Sequence, residues 1–341
     1  MAENESYILD RLRRDQLISG SDVLLTPLGG GVSSDVFLVE NESQRFVVKQ
    51  ALPRLKVRER WQADISRNRF EYEFLRYLGA IVPEAAPKVF AVGSDYFTME
   101  YLGPGYRNWR QLLMSGDCQL LHAGMAARVL GRLHRCSWGD ADLAKGFDTT
   151  RNFHQLRTDP YLVTTGRRHP ALQAYFAQEA ERLESTRECM VHGDYSPKNM
   201  LIGNGRLVLL DCEVAWYGDP AFDLAFLINH LLLKALYHAP VERGLEKIIS
   251  GLLEAYYDER GEWSLKEDFD SRTARLLLML LLARIDGKSP VEYLSSEFKK
   301  EFVRGFVKCR LPATTITRGI FRPRKAVTPP KVLCGELSMS S

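Results

Sequence analysis

One stretch constrains this 341-residue chain more than any other: Met190-Val-His-Gly-Asp-Tyr-Ser-Pro-Lys-Asn-Met-Leu-Ile202, followed by Leu207-Val-Leu-Leu-Asp211. An apolar lead-in delivers Asp194 into a loop, Asn199 follows, and a β-rich run places Asp211 at its end. These residue types in this order suit phosphoryl transfer. One carboxylate holds an acceptor hydroxyl and takes its proton, while an amide oxygen and a second carboxylate hold a magnesium ion that bridges nucleotide phosphates. Asp194 fits the first role; Asn199 and Asp211 fit the second.

His192-Gly-Asp194 with Asn199 resembles the catalytic loop of the aminoglycoside phosphotransferase family, which includes choline kinase-like small-molecule kinases on the protein-kinase-like fold. Asp211, followed by Gly218-Asp-Pro-Ala-Phe-Asp223-Leu-Ala225, looks like that family's metal-binding aspartate and the segment after it. A bare His-Gly-Asp suits an ordinary turn equally, so the ordered set of Asp194, Asn199, Asp211 and Asp223 carries the resemblance. It implies an α+β, bilobal protein-kinase-like fold, with a small antiparallel-sheet N-lobe holding one main helix and a larger, mostly helical C-lobe. It also implies ATP and Mg2+ as cofactors, a small-molecule hydroxyl acceptor, and Asp223 bonded to catalytic-loop backbone.

Residues 23–28 and 36–39 read as strands around Gly29-Gly-Gly-Val-Ser-Ser-Asp35. Glycines there permit positive φ and close approach of backbone amides to phosphate oxygens, making Gly29, Gly30, Gly31 and Ser33 candidate nucleotide contacts. A plain hairpin turn is the alternative, and no Gly-Lys-Ser/Thr follows to make a P-loop. A third strand, Arg45-Phe-Val-Val-Lys-Gln50, carries Lys49. By the resemblance Lys49 reaches the α- and β-phosphates, steadied by a glutamate on the next helix. That helix includes residues 67–78, with Phe70, Phe74, Leu75 and Leu78 as its buried stripe. Glu71, rather than Glu73, matches the family's helix pattern. Residues 89–92 and 96–99 read as the last two N-lobe strands. Glu100-Tyr-Leu-Gly-Pro104 follows as the hinge, where the resemblance implies adenine contacts at Glu100 C=O and Leu102 N–H. The basic residues 51–61, with Val47-Val-Lys-Gln50, are similar to the corresponding part of methylthioribose kinases.

The organisation expected is a helical extension over 1–20, an N-lobe over 21–102, a C-lobe over 103–325 and a disordered tail over 326–341. Residues 7–20 have the spacing of a short surface helix. Residues 119–138 form an amphipathic helix whose His134 packs beneath the catalytic loop. Residues 139–170 show turns and weak periodicity, and 171–186 return to a helical pattern. Residues 219–238 and 272–284 are apolar round much of their circumference, which marks buried helices. Glu254, Tyr256, Tyr257, Asp258, Glu259 and Trp263 offer either an acidic and aromatic pocket for a cationic acceptor or simply the end of a helix. Asp286 and Lys288 fit a helix end or an acceptor contact.

A formal charge of +3 is too small to argue for nucleic acid or membrane partners. Six cysteines without a Cys-x-x-Cys pair read as free thiols of a cytoplasmic protein, with no zinc site or disulfide framework. The first residues are acidic where a signal peptide is basic and then apolar. The longest greasy run, 224–237, falls short of the roughly 20 residues a membrane span needs and carries His230 and Lys234. Residues 302–334 are basic without Asp or Glu. Two other functions compete with a small-molecule kinase. A nucleotide-binding pseudokinase typically lacks the lysine or one of the aspartates, all present here. A protein kinase needs a lysine where Ser196 stands and an Ala-Pro-Glu segment after the metal aspartate.

Overall fold

The alternation of side chains across strand β3 organises the smaller lobe. In the computed structural model, which describes residues 2–20, 22–29, 34–51, 67–239, 244–261 and 268–312, the chain opens with α1 (Ala2–Arg14). Strands β1 (Leu24–Pro27), β2 (Ser34–Glu40) and β3 (Arg45–Ala51) follow, then α2 (Arg67–Ile81), β4 (Val89–Val92) and β5 (Tyr96–Glu100). The strands make one antiparallel sheet in the order β1-β2-β3-β5-β4. Successive residues of a strand face opposite sides. Phe46 and Val48 join Phe37, Val39 and Tyr96 beneath Ile8 and Leu12 of α1. Val47 joins Phe97 and Met99 on the other side, against Phe74, Leu75 and Leu78 of α2. Lys49, two residues beyond Val47, therefore faces α2 and the space between the lobes.

The expected surface helix over 7–20 is in fact a covering layer. It starts earlier and ends at Arg14, and Gln16 then adopts a positive φ of 60° that turns the chain so that Ile18 reaches the same cluster.

The larger lobe begins with β6 (Arg107–Asn108), α3 (Trp109–Met114) and α4 (Leu120–Cys136). Short helices α5 (Ala141–Gly146) and α6 (Thr150–Phe153), a π-helical stretch (His154–Val163) and α7 (Thr164–Arg168) lead into α8 (Gln173–Ser185). Then come β7 (Cys189–Val191), β8 (Met200–Gly203), β9 (Arg206–Leu209) and β10 (Trp216–Gly218), ahead of α9 (Ala221–His238), α10 (Leu245–Arg260), α11 (Phe269–Asp286) and α12 (Glu297–Arg310). Pairing of β7 with β10, and of β8 with β6 and β9, brackets the segment from His192 to Asp211.

Residues 139–170, expected as turns, are mostly helical. Their pieces are short, Pro160 interrupts the longest of them, and its turns are π-helical, so no 3.6-residue repeat builds up in the sequence. Of the acidic and aromatic residues of α10, Tyr256, Tyr257 and Glu259 hold helices together, and Glu254, Asp258 and Glu259 line a hollow against α4 that shares no lining residue with the cleft at Lys49 and Asp211. The Glu259 carboxylate accepts from Arg132 at 3.0 Å and Arg135 at 2.9 Å, and Tyr257 donates to Asp270 at 2.5 Å. The Tyr256 hydroxyl lies 2.9 Å from His134 Nδ1. Trp263 falls outside the described residues. Asp286 anchors α12 through Arg304 at 2.6 and 2.8 Å and also meets His169 at 2.9 Å. Among the described residues no helix is long and apolar enough to cross a membrane.

Leu12 is fully buried, so its truncation tests the covering role of α1. Leu12→Ala is expected to cost about 2–5 kcal/mol in urea-induced unfolding. A loss below about 0.5 kcal/mol would place α1 at the surface.

Candidate active site

The chain leaves β7 at Val191 and turns through His192, Gly193 and Asp194. Gly193 takes a φ of 75°, and a Cβ there would meet the Val214 carbonyl oxygen at 2.5 Å, so the turn requires glycine. Asp223, in the first turn of α9, holds this turn from below. Its carboxylate is fully buried and accepts from His192 N at 2.6 Å and Gly193 N at 3.0 Å. Burial of a charge demands such partners, and the nearby helix N-terminus favours the negative charge. His134 packs underneath, with Nε2 3.8 Å from Asp223. Burial pushes His134 and His192 below the ordinary histidine pKa, and the His192 ring sits edge-on to Phe74 of α2 and to Tyr195.

Asp194 emerges from this turn between two cations. Its Oδ2 lies 3.1 Å from the Arg157 guanidinium and 2.9 Å from Lys198 Nζ, and Ser196 donates to Oδ1 at 3.4 Å. Burial alone would raise its pKa, yet Lys198 and Arg157 prevail and hold the carboxyl well below the usual carboxylate range. Asn199 donates from Nδ2 to the Asp194 carbonyl at 3.0 Å, and its own carbonyl accepts from Leu210 N at 2.9 Å. The second bond fixes the residue that precedes Asp211. Asp211 adopts a φ of 62°, a left-handed conformation that aspartate tolerates, with its carboxylate 2.7 Å from Lys49.

Lys49 Nζ is shared between Asp211 Oδ1 and Glu71 Oε1, each at 2.7 Å. Glu73 pairs instead with Arg69 at the surface, at 2.7 Å. Cys212 Sγ donates to the Glu71 carbonyl at 3.6 Å, and Arg67 meets Glu213 at 3.0 Å, so α2 is tied to the segment that carries Asp211. Burial would lower the Lys49 pKa, but Asp211 and Glu71 outweigh it, and the ammonium is held protonated above its ordinary range. Burial pushes Glu71 up to about 7 against the pull of Lys49, with Asp211 and Glu213 adding to the rise.

Lys49, Glu71 and Asp211 line one cleft of about 680 Å³, together with Gly29, Met99, Glu100, Leu102, Arg110, Lys198 and Asn199. That volume lies in the range of small-molecule and cofactor sites. The Glu100 side chain is occupied, accepting from Lys88 N at 3.2 Å and from Arg206 at 3.4 Å, so any ligand contact there is through backbone. Gly30, Gly31, Ser33 and most of the basic stretch 51–61 fall outside the described residues. Among the described residues no group of three or more His, Cys, Asp or Glu side chains forms a metal site. Magnesium needs no such cage, because phosphate oxygens and water complete a shell begun by one or two protein donors. Asn199 and Asp211 have the oxygen donors that ion takes.

Arg157 and Lys198 were not among the residues expected from the sequence. Lys198 stands within the loop motif, four residues after Asp194, where its charge is a usable signal. Arg157 comes from the π-helical stretch, and no pattern in the sequence points to it.

Fold and site together define a protein-kinase-like phosphotransferase architecture, and the chain belongs to the phosphotransferase enzyme family, whose model matches residues 24–263. Among solved structures, a putative aminoglycoside phosphotransferase from Ralstonia eutropha JMP134 superposes with a TM-score of 0.55 at 16% identity, covering 87% of this chain and 94% of that one. A choline kinase from Cryptosporidium parvum Iowa II gives 0.52 at 13% identity, with 89% and 94% covered. These likenesses are of fold. Among curated relatives, methylthioribose kinase from Yersinia enterocolitica (serotype O:8 / biotype 1B) is 27% identical over 236 residues, covering 60% of this chain and 59% of the relative. The enzyme of that name from Pectobacterium atrosepticum is 27% identical over 249 residues with the same coverage. The chain thus spans about three fifths of the length of these relatives.

The shared ammonium predicts non-additive losses. Lys49→Ala is expected to reduce ATP turnover more than Glu71→Ala, with the double variant hardly worse than Lys49→Ala alone, because residues acting as one unit do not add. Lys49→Arg should not restore turnover, since a planar fork does not replace a compact charge. Turnover of the four variants, with melting temperatures to exclude unfolding, checks this; strictly additive losses would refute the pairing.

Proposed function

We propose that this protein transfers the γ-phosphoryl group of ATP to a hydroxyl of a small molecule. The observation that carries the reading is that Asn199, Asp211 and the Lys49–Glu71 pair line one cleft, with Lys198 of its wall paired to Asp194. Membership of the phosphotransferase family supports it.

In this reading adenine contacts the backbone of Glu100 and Leu102, the glycine-rich turn covers the phosphates, and Lys49 aligns them. Asn199 and Asp211 hold magnesium, which when bound neutralises charge on the phosphate oxygens. The acceptor hydroxyl donates to Asp194. Its oxygen bonds to the γ-phosphorus as the bond from that phosphorus to the bridging oxygen of ADP breaks, and its proton passes to Asp194. A carboxylate flanked by Arg157 and Lys198 is a weak base. Such strength is enough, because the transition state of phosphoryl transfer is loose and little negative charge has left the hydroxyl oxygen when the phosphorus bond parts. Asp194 thus acts chiefly by orienting the hydroxyl and by receiving its proton late.

Asp194→Asn is expected to abolish transfer, by about 100-fold or more, while leaving ATP affinity near that of the parent, since it removes a proton acceptor and no phosphate contact. Asp211→Ala should abolish turnover and also weaken magnesium-dependent nucleotide binding. Kinetics over a panel of hydroxyl acceptors, with a nucleotide titration for each variant, decides the matter. Near-parental activity of Asp194→Asn would remove it from the acceptor side.

A further inference from the structure

Beyond Asp194, behind the residues that line the cleft, the packing between helices turns basic. Arg157, which contacts Asp194, also lies over the rings of Tyr161 at 5.9 Å and Phe226 at 6.0 Å. Arg284 of α11 lies 5.8 Å from the Tyr161 ring and donates to the Tyr161 hydroxyl at 3.3 Å. His230 packs edge-on against Phe226 at 4.9 Å. One turn further along α9, Lys234 is 2% exposed, and its ammonium reaches the His230 carbonyl at 3.3 Å and the Tyr293 ring at 5.3 Å. Among the described residues no carboxylate pairs with Lys234. The charges that act on it are Arg110 and Arg284, and neither Asp211 nor Glu71 is among them. The Tyr293 hydroxyl beside it is buried and has no hydrogen-bond partner in the described structure.

A buried lysine without a counter-ion gives up its proton readily, and an anion brought to it supplies the missing partner. Here burial and the two arginines push Lys234 down to about 7, so an incoming anion restores its proton as well as its partner. Aminoglycosides, choline and other amino alcohols bring a further positive charge to a region where Arg157 and Lys198 already flank Asp194 and Arg110 and Arg284 act on Lys234. A neutral sugar brings no charge to hold the Lys234 proton.

We propose that Lys234, Arg284 and Tyr293 form a subsite for an oxyanion, a carboxylate or a phosphate, carried by the acceptor whose hydroxyl reaches Asp194. This deepens the phosphotransferase reading above and rests on it. Lys234 supplies a donor that an anion keeps charged, Arg284 a guanidinium anchored through Nη1 by Ser289 and Tyr161, and Tyr293 a hydroxyl donor.

The test uses the full chain with glycerol 3-phosphate and D-glycerate as anionic probes, glycerol as the neutral one, and ethanolamine and choline as the cationic ones. Calorimetry in the presence of a non-hydrolysable ATP analogue and magnesium is expected to show saturable binding of an anion and none of the amines. Lys234→Met should weaken that binding about tenfold or more, and Tyr293→Phe several-fold, each with ATP affinity unchanged. Lys234→Met should also keep or raise the melting temperature, which separates a binding role from a structural one. Absence of anion binding up to about 10 mM, preference for glycerol or an amine, or an anion affinity untouched by Lys234→Met overturns the subsite. Anion binding without any ATP-dependent transfer would leave the subsite standing and sink the kinase reading. Transfer to amines alone would do the reverse.

Discussion

The carboxylate of Asp223 is the fixed point of this molecule. It is fully buried at the start of α9, and a polar group buried there needs hydrogen-bond donors. The donors are the backbone amides of His192 and Gly193. That requirement dictates a turn immediately after β7, the turn dictates glycine at 193, and Asp194 is thereby brought to Arg157 and to Lys198 of the cleft wall. A side chain that touches no ligand thus sets the direction of the one assigned to the acceptor. The apolar circumference of α9 serves the same end, because a helix packed on all sides cannot rotate and carry Asp223 out of register.

Electrostatics then distinguishes two regions of the site. In the cleft the Lys49 ammonium stands between Glu71 and Asp211, while Arg67 meets Glu213. On the side proposed for the acceptor cations prevail, with Arg157 and Lys198 on Asp194 and further cations beyond. Asp194 lies at the boundary. Its depressed pKa follows from that position, and in the proposed reading it suits a positioning acceptor rather than a strong base.

Much of the nucleotide side was legible in the sequence, because its residues sit in regular elements or in one contiguous motif. Two-residue alternation puts Val47 and Lys49 on one face of β3, and helical spacing puts Glu71 among the buried positions of α2 while Glu73 turns to solvent. The loop from Asp194 to Asn199 needed no long-range information. The helical extension was misjudged for a physical reason: its stripe of Ile8 and Leu12 finds a partner only in the outer face of the sheet, and amphipathicity does not say what it covers. Residues 139–170 were missed because π-helical geometry and Pro160 erase the periodicity on which such a reading depends.

The proposed acceptor region was hidden for a different reason. Its members come from the π-helical stretch, α9, α11 and the segment after α11, far apart in the chain, and each alone has an ordinary explanation. Lys234 and His230 in the sequence merely interrupt a greasy run, and only the packing shows that Lys234 lacks a carboxylate while facing Arg284 and Tyr293. Buried helices tolerate such residues at a cost in stability. In a scaffold that sets the phosphate side by short-range motifs, the acceptor side is free to vary residue by residue. On the subsite proposed above, substrate class would be read from which buried polar groups lack partners, and not from the catalytic loop.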